Sequence, residues 1–139
     1  TGVFEGMGNG LGITNLERSI AFYDPVLSTL GLVRHSSGVT FAGYGHPQDS
    51  NLGINSLWIL LPHNALPATA GNGTNVALLA HTPEAVRTFH RTGLEFGGKS
   101  DGTPGIRPEA HPDFYAAYLL DPDGNKLVAV CHTPRLSAV

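Results

Sequence analysis

Hydrophobic positions recur at helical spacing in two segments of the chain, residues 15–32 and residues 82–98. A cap at Thr14 or Asn15 precedes the first segment, and Gly31 follows it as a stop. Its apolar positions are Leu16, Ile20, Tyr23 and Leu27. The pattern therefore predicts two amphipathic helices.

Prolines and glycines refine the bounds of both helices. Pro25 falls inside the first pattern and predicts a kink or a late restart. Pro83 stands in the first turn of the second helix, where its missing N–H costs nothing. Gly93 or Gly97 ends that helix.

Apolar segments between turn residues predict strands. These segments are Gly8–Thr14, Leu32–His35, Val39–Tyr44, Ile54–Leu61, Thr74–Ala80, Phe114–Leu120 and Lys126–His132. The polar stretch Gly45–Gly53 is expected to turn, Pro62–Gly73 to connect the halves, and Lys99–Pro112 to form a long loop. The last two strands form a hairpin around Asp121–Asn125, where proline presets φ and glycine supplies a positive φ.

The two halves of the chain repeat one another. Glu17 and Glu84 are 67 positions apart in the two helices, and the same offset places Gly8 on Asn75 in the strands before them. The element order is therefore βαβββ twice. Paired units of this kind bring equivalent positions into one shared site, so Gly8 and Asn75 are expected to lie near each other.

Composition narrows the class of protein. The 139 residues suffice for one domain with a hydrophobic core, and the net charge of −3 offers no basic surface for nucleic acid or an anionic membrane. No apolar run approaches the roughly 20 residues that span a bilayer. Residues 1–10 lack the basic start and apolar core of a signal peptide, and the single Cys131 excludes an internal disulfide. The expected compartment is the cytoplasm.

Two segments carry a family resemblance. Residues 15–32 read NLERSIAFYDPVLSTLGL, and residues 119–132 read LLDPDGNKLVAVCH. Together they resemble the glyoxalase/bleomycin-resistance/dioxygenase superfamily, also called the vicinal oxygen chelate family, over about residues 7–133. Members of that family include lyases, epimerases, ring-cleaving dioxygenases, thiol transferases and metal-free proteins that sequester drugs.

The resemblance implies an α+β fold in which two βαβββ modules have mixed sheets curled into an open, barrel-like cup. Residues 1–139 would then form one domain of the vicinal-oxygen-chelate type. The first module covers about residues 7–62, the connector about 62–73 and the second module about 74–133. The resemblance also implies a homodimer, because members often complete their cups by pairing modules across chains.

In the family's metalloenzymes, His and Glu from the first and last strands of each module bind one divalent ion in the cup. The matching positions here are Gly8, Asn75 and Val128, and the fourth falls within Ser56–Leu61, where every residue is neutral. A catalytic divalent site normally needs about three imidazole, carboxylate or thiolate ligands. The sequence therefore predicts no metal at the usual positions, and no cofactor is expected.

The chain has seven histidines that offer other chemistry. Four are expected at the surface: His46, His63, His81 and His90. Alternation along the last strand places His132 on the face of Val128, and pairing across the hairpin places Tyr118 opposite Val128. His111, His132 and Tyr118 are the candidate catalytic acid–base groups. A strand-end imidazole hydrogen-bonded to a loop is the alternative for His132.

The segment Gly102–His111 is predicted to be a binding loop or lid. In it, Arg107 is a candidate to orient an anionic or polar ligand, or a surface charge that pairs with Glu109 or Asp113. Trp58 is a candidate to stack on a ligand, with core packing as the alternative.

Three functions follow from these residues. The first is a metal-independent small-molecule binding protein whose cup or dimer groove is lined by Gly8, Asn75, Tyr118 and Val128. The second is a lyase or isomerase that uses His and Tyr acid–base groups or a relocated divalent metal site. The third is an accessory interaction module. The expected partners are a small organic ligand and a second copy of the chain, with neither nucleic acid nor membrane.

Overall fold

The computed structural model of the chain describes residues 9–52 and 54–134. In this part, eight strands and two α-helices follow one another in the order β1 (Asn9–Gly12), α1 (Leu16–Ser28), β2 (Val33–Ser37), β3 (Phe41–Gly45), β4 (Leu57–Leu60), β5 (Asn75–Leu79), α2 (Pro83–Glu95), β6 (Lys99–Ile106), β7 (Tyr115–Leu120) and β8 (Lys126–Cys131). A short 3-10 helix, Pro47–Leu52, fills the polar turn before β4. The predicted α+β fold with two βαβββ modules is confirmed.

Each module forms its own four-stranded mixed sheet. The strand order is β1-β4-β3-β2 in the first sheet and β5-β8-β7-β6 in the second. In both, the first and last strands of the module pair in parallel, and the remaining neighbours are antiparallel. The two sheets are separate and do not close into a barrel. One face of each sheet carries the helix of its module, and the other face is free of helices.

One hydrophobic core joins the modules. Helix α1 contributes the fully buried Phe22 and Tyr23, and α2 contributes Val86 and Phe89. The two helices pack against each other, and each lies on the sheet of its own module. The two modules therefore pack against each other through this shared core.

The start of α1 follows the predicted capping chemistry, and α2 starts in the same way. The Asn15 side chain accepts a hydrogen bond from the backbone N–H of Arg18, and the Thr82 side chain accepts one from Ala85, both at 3.0 Å. Pro83 occupies the first turn of α2. No helix in the described residues is long and apolar enough to cross a membrane.

One prediction about the first helix is corrected, and of the two residues predicted to end the second helix, Gly97 is the one that does so. Helix α1 is continuous from Leu16 to Ser28 and does not restart at Pro25. Gly93 lies inside α2, and Gly97, with φ of 102°, follows the end of that helix. A Cβ on Gly93 would lie 2.2 Å from Cδ1 of the buried Leu119 on β7, so Gly93 permits close packing of α2 on the sheet.

The predicted loop Lys99–Pro112 is wrong over its first part, because Lys99–Ile106 is strand β6. Its sequence contains two glycines and Pro104, which are poor strand formers. The strand forms at the sheet edge, where it pairs only with β7 and its register shifts twice. An edge position tolerates a proline without an N–H, so pairing with β7 overrides the local preference.

The turn Asp121–Asn125 connects the second module to the first. The side-chain amide of Asn125 donates to the carbonyl of Gly12 at 2.9 Å, and Arg18 on α1 forms an ion pair with Asp123 at 2.9 Å. A turn that the sequence indicated only as a hairpin loop therefore also joins the two modules.

Candidate functional site

The candidate site is the helix-free face of the second sheet, here called the open face, formed by Ala77, Leu79, Ala116, Tyr118, Val128 and Val130. Tyr118 pairs directly with Val128, as pairing across the hairpin predicted, and Ala116 pairs with Val130. The neighbouring residues Leu127, Ala129 and Cys131 point into the helix-side core. The predicted opposition of Tyr118 and Val128 is therefore confirmed.

The centre of the open face is a small apolar floor. Ala116, Val128 and Val130 are buried, and the rings of Phe114 and Tyr118 pack against them. Val128 is only 3% exposed because these neighbours cover it. A floor of this kind offers an organic ligand apolar and aromatic contact but no charge.

A cation lies beside this floor. The Arg107 guanidinium carbon is 5.4 Å from the centre of the Tyr118 ring, and Nη2 donates a hydrogen bond to the carbonyl of Thr103. A Cβ on Gly105 would lie 3.0 Å from Nη1, and one on Gly102 would lie 3.2 Å from Nη2. The guanidinium therefore lies over the two glycines of β6.

The expected pairing of Arg107 with Glu109 or Asp113 is not found. Among residues 9–52 and 54–134, the ion pairs of arginine are those of Arg18, Arg34 and Arg87. The Arg107 side chain folds back along β6 because the glycines leave room there.

A second cation lies near the same aromatic ring. The Lys126 ammonium is 5.0 Å from the centre of the Tyr118 ring and forms an ion pair with Asp101 at 2.9 Å. Asn75 pairs with Lys126 across β5 and β8, and both line a hollow of about 420 Å³ next to the connector. Asn75 is thus adjacent to the polar end of the open face.

The two candidate catalytic histidines meet at the other end. His132 follows β8, His111 precedes β7, and Nε2 of His111 lies 3.0 Å from Nδ1 of His132. The ring of Phe114 makes edge contacts with both imidazoles. His132 is thus hydrogen-bonded to a loop residue, as the alternative interpretation held, and that residue is the other candidate.

The hydrogen bonds assign the tautomer of each ring. The backbone N–H of Asp113 donates to Nδ1 of His111 at 3.1 Å, so Nδ1 carries no proton. In the neutral ring the proton is then on Nε2, which donates to Nδ1 of His132. His132 must accept there and carries its own proton on Nε2. The chain of bonds therefore runs from the backbone through both rings.

This geometry does not suit a shared metal ion. The two imidazoles are nearly coplanar at 21°, with ring centres 5.2 Å apart, so their nitrogens meet head to head. To bind one metal ion together, the two imidazoles would each need a nitrogen lone pair directed at the ion. Here the two nitrogens are directed at each other. Within the part of the chain that the structure describes, no three His, Cys, Asp or Glu side chains are grouped closely enough to hold an ion.

The usual metal positions of the resembled family do not fit a divalent cation either. Val128 presents only methyl groups and packs on Ala116 and Tyr118. Asn75 offers one neutral amide at an exposed strand end. In β4, Leu57 and Ile59 are buried in the helix-side core, and Trp58 carries no metal-binding group. Gly8 lies outside the described residues, as does its expected approach to Asn75.

Trp58 belongs to the other sheet and is separate from this site. Its indole lies over Gly43, where a Cβ would come within 2.7 Å of the ring, and it contacts Phe41 with ring centres 5.8 Å apart. Trp58 is 3% exposed. It therefore packs on the helix-free face of the first sheet, outside the helix-side core.

Two histidines expected at the surface line a cleft of about 500 Å³ between the modules. His46 and His81 border it, together with Asn9 of β1 and Leu79 of β5. Ala77 and Leu79 of the open face also line this cleft, and they pair with Val128 and Val130, so the cleft borders the open face.

His90 is wrongly expected to face solvent. It is 7% exposed on α2, and its Nε2 lies 2.7 Å from the Ser100 hydroxyl on β6. Burial lowers the pKa of His90 below the ordinary value for imidazole. Since it lies on the helix side of the sheet, His90 supports packing and does not face the candidate site.

Sequence reasoning missed Lys126, Phe114 and the glycines beneath Arg107. The same alternation that placed Tyr118 and Val128 would have placed Lys126 and Phe114 on the open face. No sequence pattern indicated the contact of Arg107 with Gly102 and Gly105, because the segment that forms β6 was predicted to be a loop.

The fold and the sequence have relatives among solved structures. A crystal structure of a glyoxalase/bleomycin resistance protein from Albidiferax ferrireducens shares 36% sequence identity, covers 90% of this chain and 96% of that chain, and superimposes with a TM-score of 0.77. The chain belongs to the glyoxalase/bleomycin-resistance/dioxygenase family. The resemblance on the two sequence segments is thereby confirmed.

More distant members share the fold of this glyoxalase/bleomycin-resistance family protein. A putative glyoxalase from Bacillus halodurans has 23% identity and a TM-score of 0.63, covering 94% of this chain and 99% of that chain. A glyoxalase I mutant from Zea mays has 23% identity and a TM-score of 0.64, covering 93% of this chain and 47% of that chain. No family model matches the sequence, and no curated protein matches it.

Proposed function

We propose that this family member is a metal-independent binding protein that holds a small organic ligand on the open face of its second sheet. The observation that carries the proposal is the make-up of that face. An apolar floor of Ala116, Val128 and Val130 stands where a metalloenzyme of the family would place an ion-binding carboxylate. A ligand pocket is usually apolar with a few placed polar groups, and Arg107 and Lys126 supply them here.

The proposal includes a homodimer in the cytoplasm. Leu79 is 54% exposed at the edge of the open face, and a second chain packed along that edge would cover it and leave the floor to the ligand. Cys131 is a buried free thiol, which fits a reducing compartment. Light scattering on a sizing column tests the dimer directly: a mass of one chain would contradict it.

Native mass spectrometry and a thermal-shift screen test the binding function. We expect at least one class of small organic compound to raise the melting temperature, with the same rise after treatment with a chelator. Ala116→Asp, which places a carboxylate on the floor, should remove the rise. Failure of every compound class to shift the protein would contradict the proposal, and so would a stoichiometric metal ion needed for binding.

A second function is favoured by one observation, the His111–His132 hydrogen bond. The hydrogen bond fixes the tautomer of His132 and leaves the proton on its Nε2 for a substrate. An imidazole in this state is suited to acid–base catalysis. The matching reaction is proton transfer at a carbon next to a carbonyl, as in a lyase or isomerase. In that reaction the Nε2–H of His132 would donate its proton to the carbonyl oxygen, and Tyr118 across the floor, as the phenolate, would accept the proton from the α-carbon.

Deuterium exchange distinguishes the two functions. The protein is incubated in D2O with simple α-hydroxy ketones, and loss of the α-proton signal is followed by NMR. Exchange that depends on protein and disappears in His132→Asn would support an enzyme. Binding without exchange supports the binding protein.

A further inference from the structure

We propose that the ligand of the open face carries a carboxylate or a similar planar anionic group, and that Arg107 binds it. This inference rests on the proposed function, since it names the class of ligand that the same face would accept. It makes Arg107 the residue that determines specificity for the anion, with the apolar floor binding the remainder of the molecule.

Arg107 is held ready for an anion before any ligand arrives. Its guanidinium lies against Gly102 and Gly105, beside the ring of Tyr118, and donates a hydrogen bond to the carbonyl of Thr103. These contacts fix a side chain that would otherwise lose rotamer freedom on binding. A guanidinium has five N–H donors in a planar fork, and only one donor nitrogen is bonded within the described residues. The others match the two oxygens of a carboxylate.

The charges around the floor favour an anion. Lys126 and Asp101 form an ion pair with each other, so together they add little net charge. In the hydrogen-bond chain through His111 and His132 each Nδ1 accepts a hydrogen bond, so neither ring carries a positive charge. Arg107 makes no ion pair with a carboxylate in the described residues, so its positive charge is the uncompensated one beside the floor. This local charge is opposite in sign to the net charge of −3 of the whole chain.

The rest of the ligand follows from the neighbouring surface. Phe114 and Tyr118 offer ring faces and edges, and Val128 and Val130 offer methyl groups. A flat or short apolar body with one carboxylate meets both requirements: ring or alkyl contact on the floor and paired hydrogen bonds at Arg107. A polyanion such as a nucleotide is not matched, because it would meet Asp101 beside the second cation.

Matched acids and amides test this inference. Phenylacetate and 3-phenylpropionate are titrated into 15N-labelled protein, in parallel with phenylacetamide and 3-phenylpropionamide, which keep the body and remove the charge. Backbone signals of Tyr118, Val128 and Val130 report binding. We expect each acid to bind about tenfold or more tightly than its amide, the scale of charge-assisted hydrogen bonds. Arg107→Gln should remove this difference. The control Arg91→Gln, on the exposed side of α2, should keep it.

A second variant separates charge from position. Gly105→Ala keeps the guanidinium but places a Cβ 3.0 Å from its Nη1, so the group must shift. We expect the preference for acid over amide to narrow to about a few-fold, with the amide affinity unchanged. Circular dichroism and melting curves confirm that each variant is folded.

The outcomes separate this inference from the proposed function. Amides and acids that bind the open face equally well, with no effect of Arg107→Gln, would overturn the anion site and leave the binding function standing. Shifts confined to another surface would overturn the assignment to Arg107. If neither series binds and the thermal-shift screen is also negative, both proposals fail.

Discussion

The Tyr23 hydroxyl on α1 donates a 2.6 Å hydrogen bond to Oδ2 of Asp121, at the start of the turn between β7 and β8. Both groups are buried, and the two residues belong to different modules. Asp121 also accepts from the backbone N–H groups of Asp123 and Asn125 and from the Asn125 side-chain amide. Burial and the neighbouring carboxylate raise the pKa of Tyr23, so its hydroxyl stays a donor. This contact therefore joins the modules through a buried, hydrogen-bonded carboxylate.

Tyr23→Phe removes the hydroxyl that donates to Asp121, so the buried carboxylate accepts one hydrogen bond fewer. We expect the free energy of unfolding to fall by about 1–3 kcal/mol, the usual range for an unmet buried polar group. Urea denaturation measures the change. Tyr115→Phe is the control, because its hydroxyl bonds Arg87 at the surface, and its effect should stay within about 0.5 kcal/mol. Equal effects of the two variants would contradict the role of Asp121.

The buried His90 predicts a pH dependence of stability. In the unfolded chain the imidazole takes up a proton near pH 6.5, whereas burial lowers the pKa of His90 in the folded protein. Between the two values the unfolded state binds more protons, so the free energy of unfolding declines as the pH falls below about 6.5 and stops declining below the folded pKa.

Denaturation at a series of pH values measures this decline. His90→Gln should flatten the decline between mildly alkaline and mildly acidic buffer, since the titrating group is gone. The matched control is His63→Gln, which changes an exposed histidine in the connector and should leave the decline as it is. A His90→Gln profile that follows the unsubstituted protein would show that other groups cause the decline.

The hydrogen-bond chain at His111 and His132 predicts one tautomer for each ring. In mildly alkaline buffer, 15N correlation spectra of the imidazoles should show both Nδ1 atoms unprotonated and both Nε2 atoms protonated. His111→Asn should release His132 to a mixture of tautomers, because its Nδ1 loses the donor. A protonated Nδ1 on His111 in the unsubstituted protein would rule out the bond from the Asp113 N–H.

Gly93→Ala should destabilise the protein although alanine is the better helix former. The propensity gain is about 1 kcal/mol, but the new Cβ would lie 2.2 Å from Cδ1 of Leu119, which is fully buried. Overpacking of a filled core costs about 1–3 kcal/mol, so a net loss of up to about 2 kcal/mol is expected. Thermal melts measure it, with Arg91→Ala on the exposed side of α2 as the neutral control. A higher melting temperature for Gly93→Ala would mean that α2 and β7 are less closely packed.

The amino-acid sequence by itself determined the elements whose signals are local. Helical spacing, the caps at Asn15 and Thr82 and the hairpin turn at Asp121–Asn125 depend on residues only a few positions apart, so they could be recognised without a partner. Alternation is also local, and it placed Tyr118 and Val128 on one face of the second sheet. The family followed from two such segments, and a solved relative confirmed it.

Only the tertiary structure decided the features that depend on distant neighbours. Strand β6 forms because its backbone pairs with β7. That pairing brings Gly102 and Gly105 beneath the Arg107 guanidinium. His111 meets His132 across 21 positions of sequence, and His90 is buried because β6 covers it. Spacing along a chain carries no information about which strand will lie alongside another. The position of the cation and of the paired imidazoles was therefore set by sheet pairing and packing.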